Sequence, residues 1–172
     1  MMTWSRPSGR LGAMQGVSLL EVLVTLAIIG ILALIAVPSY NGMIEGQRLR
    51  GAAEALAADL RWARSEALKR GVPVRVACTS GSNWSCSVVA DASGNGSFDD
   101  DAALKLISVA DFPSVSLASA SFGGDAQTIF EPVRATASDG AVVLSAATLS
   151  ARVSLSVAGA VGICGLRGYD QC

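Results

Sequence analysis

The run from Val17 to Val37, VSLLEVLVTLAIIGILALIAV, constrains this chain more than anything else in it, because its 21 residues hold a single charge, Glu21. As an α-helix it would extend about 32 Å, enough to cross a hydrocarbon core of about 30 Å. The segment ahead of it carries Arg6 and Arg10 and no acid. Basic flanks stay on the cytoplasmic side, so the C-terminal bulk is expected outside the inner membrane. Four cysteines in 172 residues agree with that side, since disulfides persist in oxidising compartments. Composition excludes several other classes. With 51% apolar and 16% charged residues the chain is no disordered segment. With a net charge of −1 it has no global basic field for nucleic acid. With no histidine it can form neither a Ser-His-Asp triad nor a Cys-His pair, and no histidine can bind a metal. No P-loop and no Gly-x-Ser-x-Gly elbow is present.

Three accounts of the apolar run compete. A secretory signal would be cut after it, but the run is long for that and a carboxylate is out of place in its apolar region. A plain anchor explains length and orientation and leaves Glu21 unexplained, although a lone acid in lipid costs several kcal/mol. A leader cut ahead of the run would place Glu21 one helical turn from a new amino terminus, where the ammonium of a neighbouring subunit could neutralise it.

Gly16-Val17-Ser18-Leu19-Leu20-Glu21, followed by the apolar run and Pro38, resembles the class III signal of type IV pilins and type II secretion pseudopilins. The resemblance implies that a prepilin peptidase cuts between Gly16 and Val17 and N-methylates Val17. It implies that Glu21 is the assembly acid and Pro38 the helix-kinking proline. Major pilins usually carry Phe where Val17 stands, so the minor pilins fit better.

Beyond Pro38 the helix is expected to resume, weakly at first because of Gly42, Gly46 and Gly51. Leu49, Ala53, Leu56, Leu60, Ala63 and Ala67 then form one helical stripe, with Arg48, Arg50, Glu54, Asp59, Arg61, Arg64 and Glu66 on other faces. Lys69, Arg70, Gly71 and Pro73 form a stop signal. Short strands are expected at Val72 to Cys78, Cys86 to Ala90, Leu104 to Val109, Val115 to Ala120, Gln127 to Phe130, Leu149 to Val157 and Val161 to Cys164. Ala57 to Ala67, Arg75-Val76-Ala77-Cys78 and Asp91-Ala92-Ser93-Gly94-Asn95-Gly96 are similar to the GspH/FimT (FimU-like) branch of the pilin family. The implied fold is α+β and pilin-like: a long N-terminal α-helix, transmembrane in its first half, packed on a β-rich globular head. Residues 1–16 are then the leader, 17–71 the long helix with 17–37 transmembrane, and 72–172 the periplasmic head.

Further expectations concern sites. Four cysteines allow three connectivities, and Cys78–Cys86 with Cys164–Cys172 closes short loops beside strand ends; a four-cysteine zinc site lacks any CxxC. Asp91, Ser93, Asn95 and Gly96 with Asp99, Asp100 and Asp101 resemble the first half of a calcium loop, but Ala102 stands where the bidentate Glu belongs, and the segment reads as a polar turn. Some FimT-type minor pilins bind DNA through a C-terminal Gly-Arg-x-Arg. The matching stretch here is Gly159-Ala160-Val161-Gly162, without either arginine, and Arg167 is the remnant. From residue 76 onward four basic residues face nine acidic ones, a net of −5 that repels phosphate. The implied protein is a minor pilin, incorporated in or priming a type IV pilus. The alternatives are a DNA-binding minor pilin of natural transformation and a type II secretion pseudopilin. It is no enzyme, and no cofactor or metal is expected. Its partners are other major and minor pilins, the prepilin peptidase and the inner membrane, where it sits single-pass with a cytoplasmic N-terminus and a periplasmic head before entering the filament.

Overall fold

A computed structural model of the chain describes residues 16–134 and 136–170, without the side chains of residues 35–39. The chain divides into two units between Tyr40 and Asn41, and α1, Leu19–Arg70, contributes to both. The helix continues through Gly42, Gly46 and Gly51 because packing outweighs propensity further along. Leu49, Ala53, Leu56, Leu60, Ala63 and Ala67 are all buried to within 1%. It stops where Lys69 and Arg70 meet the negative end of the helix dipole, both also pairing with Glu66. Arg70 donates to Glu66 and holds its carboxyl below the usual carboxylate range. Gly71 then turns the chain with φ +70°, and its N–H donates to the Ala67 carbonyl.

In the second unit eight strands form two antiparallel sheets. The first has the order β3-β2-β1-β5, from β1 (Val74–Thr79), β2 (Ser85–Ala90), β3 (Ala103–Ser108) and β5 (Gln127–Phe130). The second has the order β4-β6-β7-β8, from β4 (Ser116–Phe122), β6 (Gly140–Ala146), β7 (Leu149–Leu155) and β8 (Val161–Cys164). One core joins the helix stripe to the inward residues of both sheets, among them Val74, Val76, Phe130, Leu117, Val142, Leu144 and Val153. Trp84 is fully buried and donates its indole N–H to the Val115 carbonyl at 2.8 Å. The backbones of Gly81 and Leu117 exchange hydrogen bonds and tie the β1–β2 turn to β4.

Three features differ from the sequence expectation. The strand β6 was not expected, yet it is a central strand between β4 and β7. Its first residue must be glycine: a Cβ on Gly140 would lie 2.0 Å from the Ser121 carbonyl oxygen. The β6–β7 hairpin turns at Ala147, with φ +48°, so it has no glycine or asparagine to mark it. The third difference is Asp59. Placed by its spacing off the core stripe, it is nevertheless only 2% exposed and pairs through Oδ1 with the Lys105 ammonium on the edge strand β3.

Candidate assembly site

The N-terminal unit begins, among the described residues, with Gly16, Val17 and Ser18 in exposed non-helical backbone. The Ser18 carbonyl accepts the first helical hydrogen bond, from Val22 N–H at 3.2 Å, which makes Ser18 the N-cap. Glu21 follows three residues later, in the first turn, where the free N–H groups favour a negative charge. The spacing Ser18-x-x-Glu21 is that of a capping box. Glu21 is exposed in the single chain.

The large apolar side chains from Val17 to Leu34 are 46–79% exposed, and they point in every direction around the helix. Thr25 bonds back to the Val22 carbonyl at 2.9 Å, so its hydroxyl is satisfied within the helix. A helix apolar all round is stable only where lipid or other helices cover it. No helix among the described residues is long and apolar enough to cross a membrane. The described apolar side chains end at Leu34, short of Val37, and the side chain of Pro38 lies outside the described residues. The leader residues 1–15 lie outside them as well.

The head's candidate residues separate into distinct places. Cys78 and Cys86 face each other in the β1–β2 register and are joined by a disulfide. Closing a loop of this size restricts the unfolded chain by about 2.5 kcal/mol. Cys164 ends β8, and Cys172 lies outside the described residues. Asp91 is buried beside the β2 end. Its Oδ1 accepts from Asn95 N–H at 3.1 Å and Ser93 Oγ at 3.2 Å, and its Oδ2 from Gly96 N–H at 3.0 Å. The carboxylate therefore organises its own turn. Asp99 pairs with Arg75 at 3.3 Å, and the Arg75 guanidinium lies over the Phe98 ring. No group of three acidic or cysteine ligands able to hold a metal is present among the described residues.

The basic helix face is put to internal use that the sequence did not reveal. Arg61 Nη2 donates to the Val161 carbonyl at 3.0 Å, and Arg64 Nη1 to the Gly159 carbonyl at 3.3 Å. Both cap the backbone of the stretch 159–162. Arg50 donates to Glu54 at 2.8 Å and sits over the Tyr169 ring, whose hydroxyl donates to the same Glu54 oxygen at 2.6 Å. Arg167 is exposed on the segment after β8.

A family profile described as "Type II transport protein GspH" matches residues 52–159, and one for the "Prokaryotic N-terminal methylation motif" matches residues 13–37. Type II secretion system protein H of Xanthomonas campestris pv. campestris is 42% identical over 62 residues, covering 36% of this chain and 37% of that protein. The match thus spans little more than a third of that relative. Two crystal forms of the type IV minor pilin FimU of Pseudomonas aeruginosa share the fold. Each is 21% identical; the TM-scores are 0.50 and 0.52, and the similarity covers 67% and 68% of this chain and 91% and 88% of theirs. With the GspH profile covering more than half of the sequence, on a helix packed against antiparallel sheets and behind a methylation motif, the chain belongs to the GspH family of minor pilins and pseudopilins.

Proposed function

We propose that this protein is a minor pilin that is built into, or primes, a type IV pilus. The carrying observation is the helix from Leu19 to Leu34, apolar on every side and exposed in the single chain, with Glu21 as its one charge. In this reading a prepilin peptidase cuts between Gly16 and Val17 and methylates Val17. The span 17–37 anchors the protein in the inner membrane, with the N-terminus cytoplasmic and the head periplasmic. On assembly the Glu21 carboxylate pairs with the Val17 ammonium of an adjacent pilin, and the apolar helix moves from lipid to protein neighbours of the same polarity. Pro38 bends the helix, and Cys164 pairs with Cys172. The protein is a substrate of the processing enzyme and a structural partner of major and minor pilins. The Cys78–Cys86 bond supports a head that matures in an oxidising compartment.

A second reading, a type II secretion pseudopilin, is favoured by the relative from Xanthomonas and the GspH profile. It shares the same assembly chemistry and differs in the machine. One experiment tests the shared core: Glu21→Leu in cells, followed by membrane fractionation and filament shearing. The variant is expected to stay in the membrane and to be lost from the sheared filament. Normal incorporation would refute the role of Glu21. Deletion of the gene then separates the two machines, with loss of pili expected for the first and loss of protein secretion for the second.

A further inference from the structure

Four strands end the two sheets of the second unit: β3 and β5 in the first, β4 and β8 in the second. Three of these edges are held by the rest of the chain. Gly81 exchanges backbone bonds with Leu117 at one end of β4, and the Asp125 carbonyl accepts from Phe122 N–H at the other. Arg61 and Arg64 occupy the Val161 and Gly159 carbonyls where β8 begins, and Asp170 bridges to Cys164 where it ends. The short β5 is bordered by the segment 136–138: the Ser138 carbonyl accepts from Thr128 Oγ1 and the Thr136 carbonyl from Glu131 N–H. The edge β3 is different. Val109 N–H donates to the Trp84 carbonyl on the β2 side, whereas Ser108 N–H donates away from β2, to Asp111 Oδ2 at 2.9 Å. Backbone groups alternate in direction along such a strand, so Leu106 N–H and C=O also point to the free side. No hydrogen bond among the described residues reaches them. The usual guards of an open edge are an outward lysine, a proline or a bulge. Here β3 has no proline, its one charge, Lys105, is drawn to the buried Asp59, and its bulge lies toward the Ala103 end. Leu106 is left 61% exposed beside the open groups.

We propose that β3 takes up an extended segment of a neighbouring pilin as an added strand, apolar in its middle and basic at both ends. The Leu106 N–H and C=O supply the main-chain bonds, and the Leu106 side chain is covered by an apolar residue beside it on the incoming strand. Charge selects the flanks. Asp99, Asp100 and Asp101 precede β3 and Asp111 follows it. Asp99 is held by Arg75, whereas Asp100 is exposed and makes no ion pair among the described residues. Lysines or arginines at the ends of the incoming strand would meet these acids. The same acids disfavour a second copy of this head: an antiparallel β3–β3 pair centred on Leu106 would bring Asp101 level with Asp111 of the other copy. The open edge is a property of the second unit alone; that its donor is a pilin rests on the assembly reading above.

The test uses the full-length chain in detergent micelles and two labelled synthetic strands of alternating valine and threonine, one ending in lysines and the other in glutamates. By fluorescence anisotropy the lysine-ended strand is expected to bind about tenfold tighter, and to weaken with added salt. It is also expected to slow hydrogen exchange at the Leu106 amide. Leu106→Pro removes the outward donor and spares the β2–β3 ladder, which does not use it. The head should then melt as wild type does, followed at buried Trp84, while binding falls about tenfold. Leu106→Lys keeps the donor but restores the missing guard, and is expected to repel the lysine-ended strand. Equal binding of the two strands would overturn the proposal, as would an unslowed Leu106 amide or undiminished binding by Leu106→Pro. Slowing of that amide by raising the concentration of the chain alone would overturn it in favour of a second copy. In cells Leu106→Pro is expected to be depleted from sheared filaments, and normal incorporation would refute a pilin as the donor. Glu21→Leu, which tests the assembly reading, leaves the edge intact and is expected to bind the lysine-ended strand as wild type does, so the two failures are told apart.

Discussion

Replacing Lys105 by Met isolates the buried Asp59 carboxylate, through which α1 is tied to the edge strand β3. Asp59 lies on α1, 2% exposed, with the Lys105 ammonium on Oδ1 and no hydrogen-bond partner on Oδ2 among the described residues. The carboxylate thus has a single donor. Removing one member of a buried pair costs about 3–5 kcal/mol, because the other charge stays desolvated and alone. The Lys105 side chain is 50% exposed, so water screens part of the pair, and the expected loss is about 2–3 kcal/mol. Methionine keeps the length of the stem, so little packing is lost with the charge. For a chain of this size about 2–4 °C of melting temperature accompanies each kcal/mol, which gives a drop of roughly 5–10 °C. The assay is thermal melting of the full chain in detergent at neutral pH, followed by the near-ultraviolet signal of buried Trp84. The double variant Asp59→Leu, Lys105→Met removes both charges and is expected to recover most of the loss, since apolar residues of similar volume replace buried pairs well. A Lys105→Met variant melting within 2 °C of wild type on that scale would refute the reasoning. So would a double variant no more stable than the single one.

Two further outcomes follow from close geometry. Gly140→Ala places a Cβ against the Ser121 carbonyl, backbone that cannot swing aside, so the β4–β6 pairing must open. A loss of at least about 2–3 kcal/mol is expected, and a melting curve like that of wild type would disprove the close approach. Tyr169 is held above its ordinary value of about 10 by the Glu54 carboxylate that accepts its hydroxyl. Its contribution is therefore complete below about pH 10 and is lost as pH rises through the raised folded value. Glu54→Gln is expected to make Tyr169 ionise at lower pH in an ultraviolet tyrosinate titration, and an unchanged curve would exclude the contact.

The parts of this fold that repeat with a period were legible, and the parts that rest on a single distant contact were not. The stripe Leu49 to Ala67 follows helical spacing because one face meets the core, and every member is buried. The strand β7 alternates because one face of its sheet is wet, and Ala151, Val153 and Leu155 point inward. By contrast β6 is central and reads Gly-Ala-Val-Val-Leu-Ser-Ala, an apolar run with weak alternation, and it leaves through a turn without turn residues. Its Gly140 is the signal that could have marked it, as a glycine opening an apolar run. Asp59 and Lys105 lie 46 residues apart, and Glu54 and Tyr169 lie 115 apart. No local spacing announces such partners, so the helical pattern places Asp59 off the core stripe without showing that it is buried. The start of α1 was legible as a motif, with Gly16, Ser18 and Glu21 in order, although its capping geometry emerged only with the Ser18 carbonyl bond.

The two units use their chemistry in opposite ways, and this bears on how assembly can be specific. In the head, polar groups are largely spent internally: Arg61 and Arg64 on carbonyls, Asp91 on its own turn, Asp59 on Lys105. From Val17 to Leu34 the large apolar side chains are unspent. Their burial is strong but non-directional, so by itself it would accept neighbouring helices in many registers. On the proposed assembly Glu21 supplies the selection. An unpaired carboxylate in an apolar surround costs several kcal/mol, and only registers that bring an ammonium beside it escape that cost. The acid therefore acts mainly by penalising wrong neighbours. Glu21→Leu should accordingly raise the helix's general affinity for lipid and for other helices while removing its register, which is why membrane retention and filament incorporation are expected to part company in that variant.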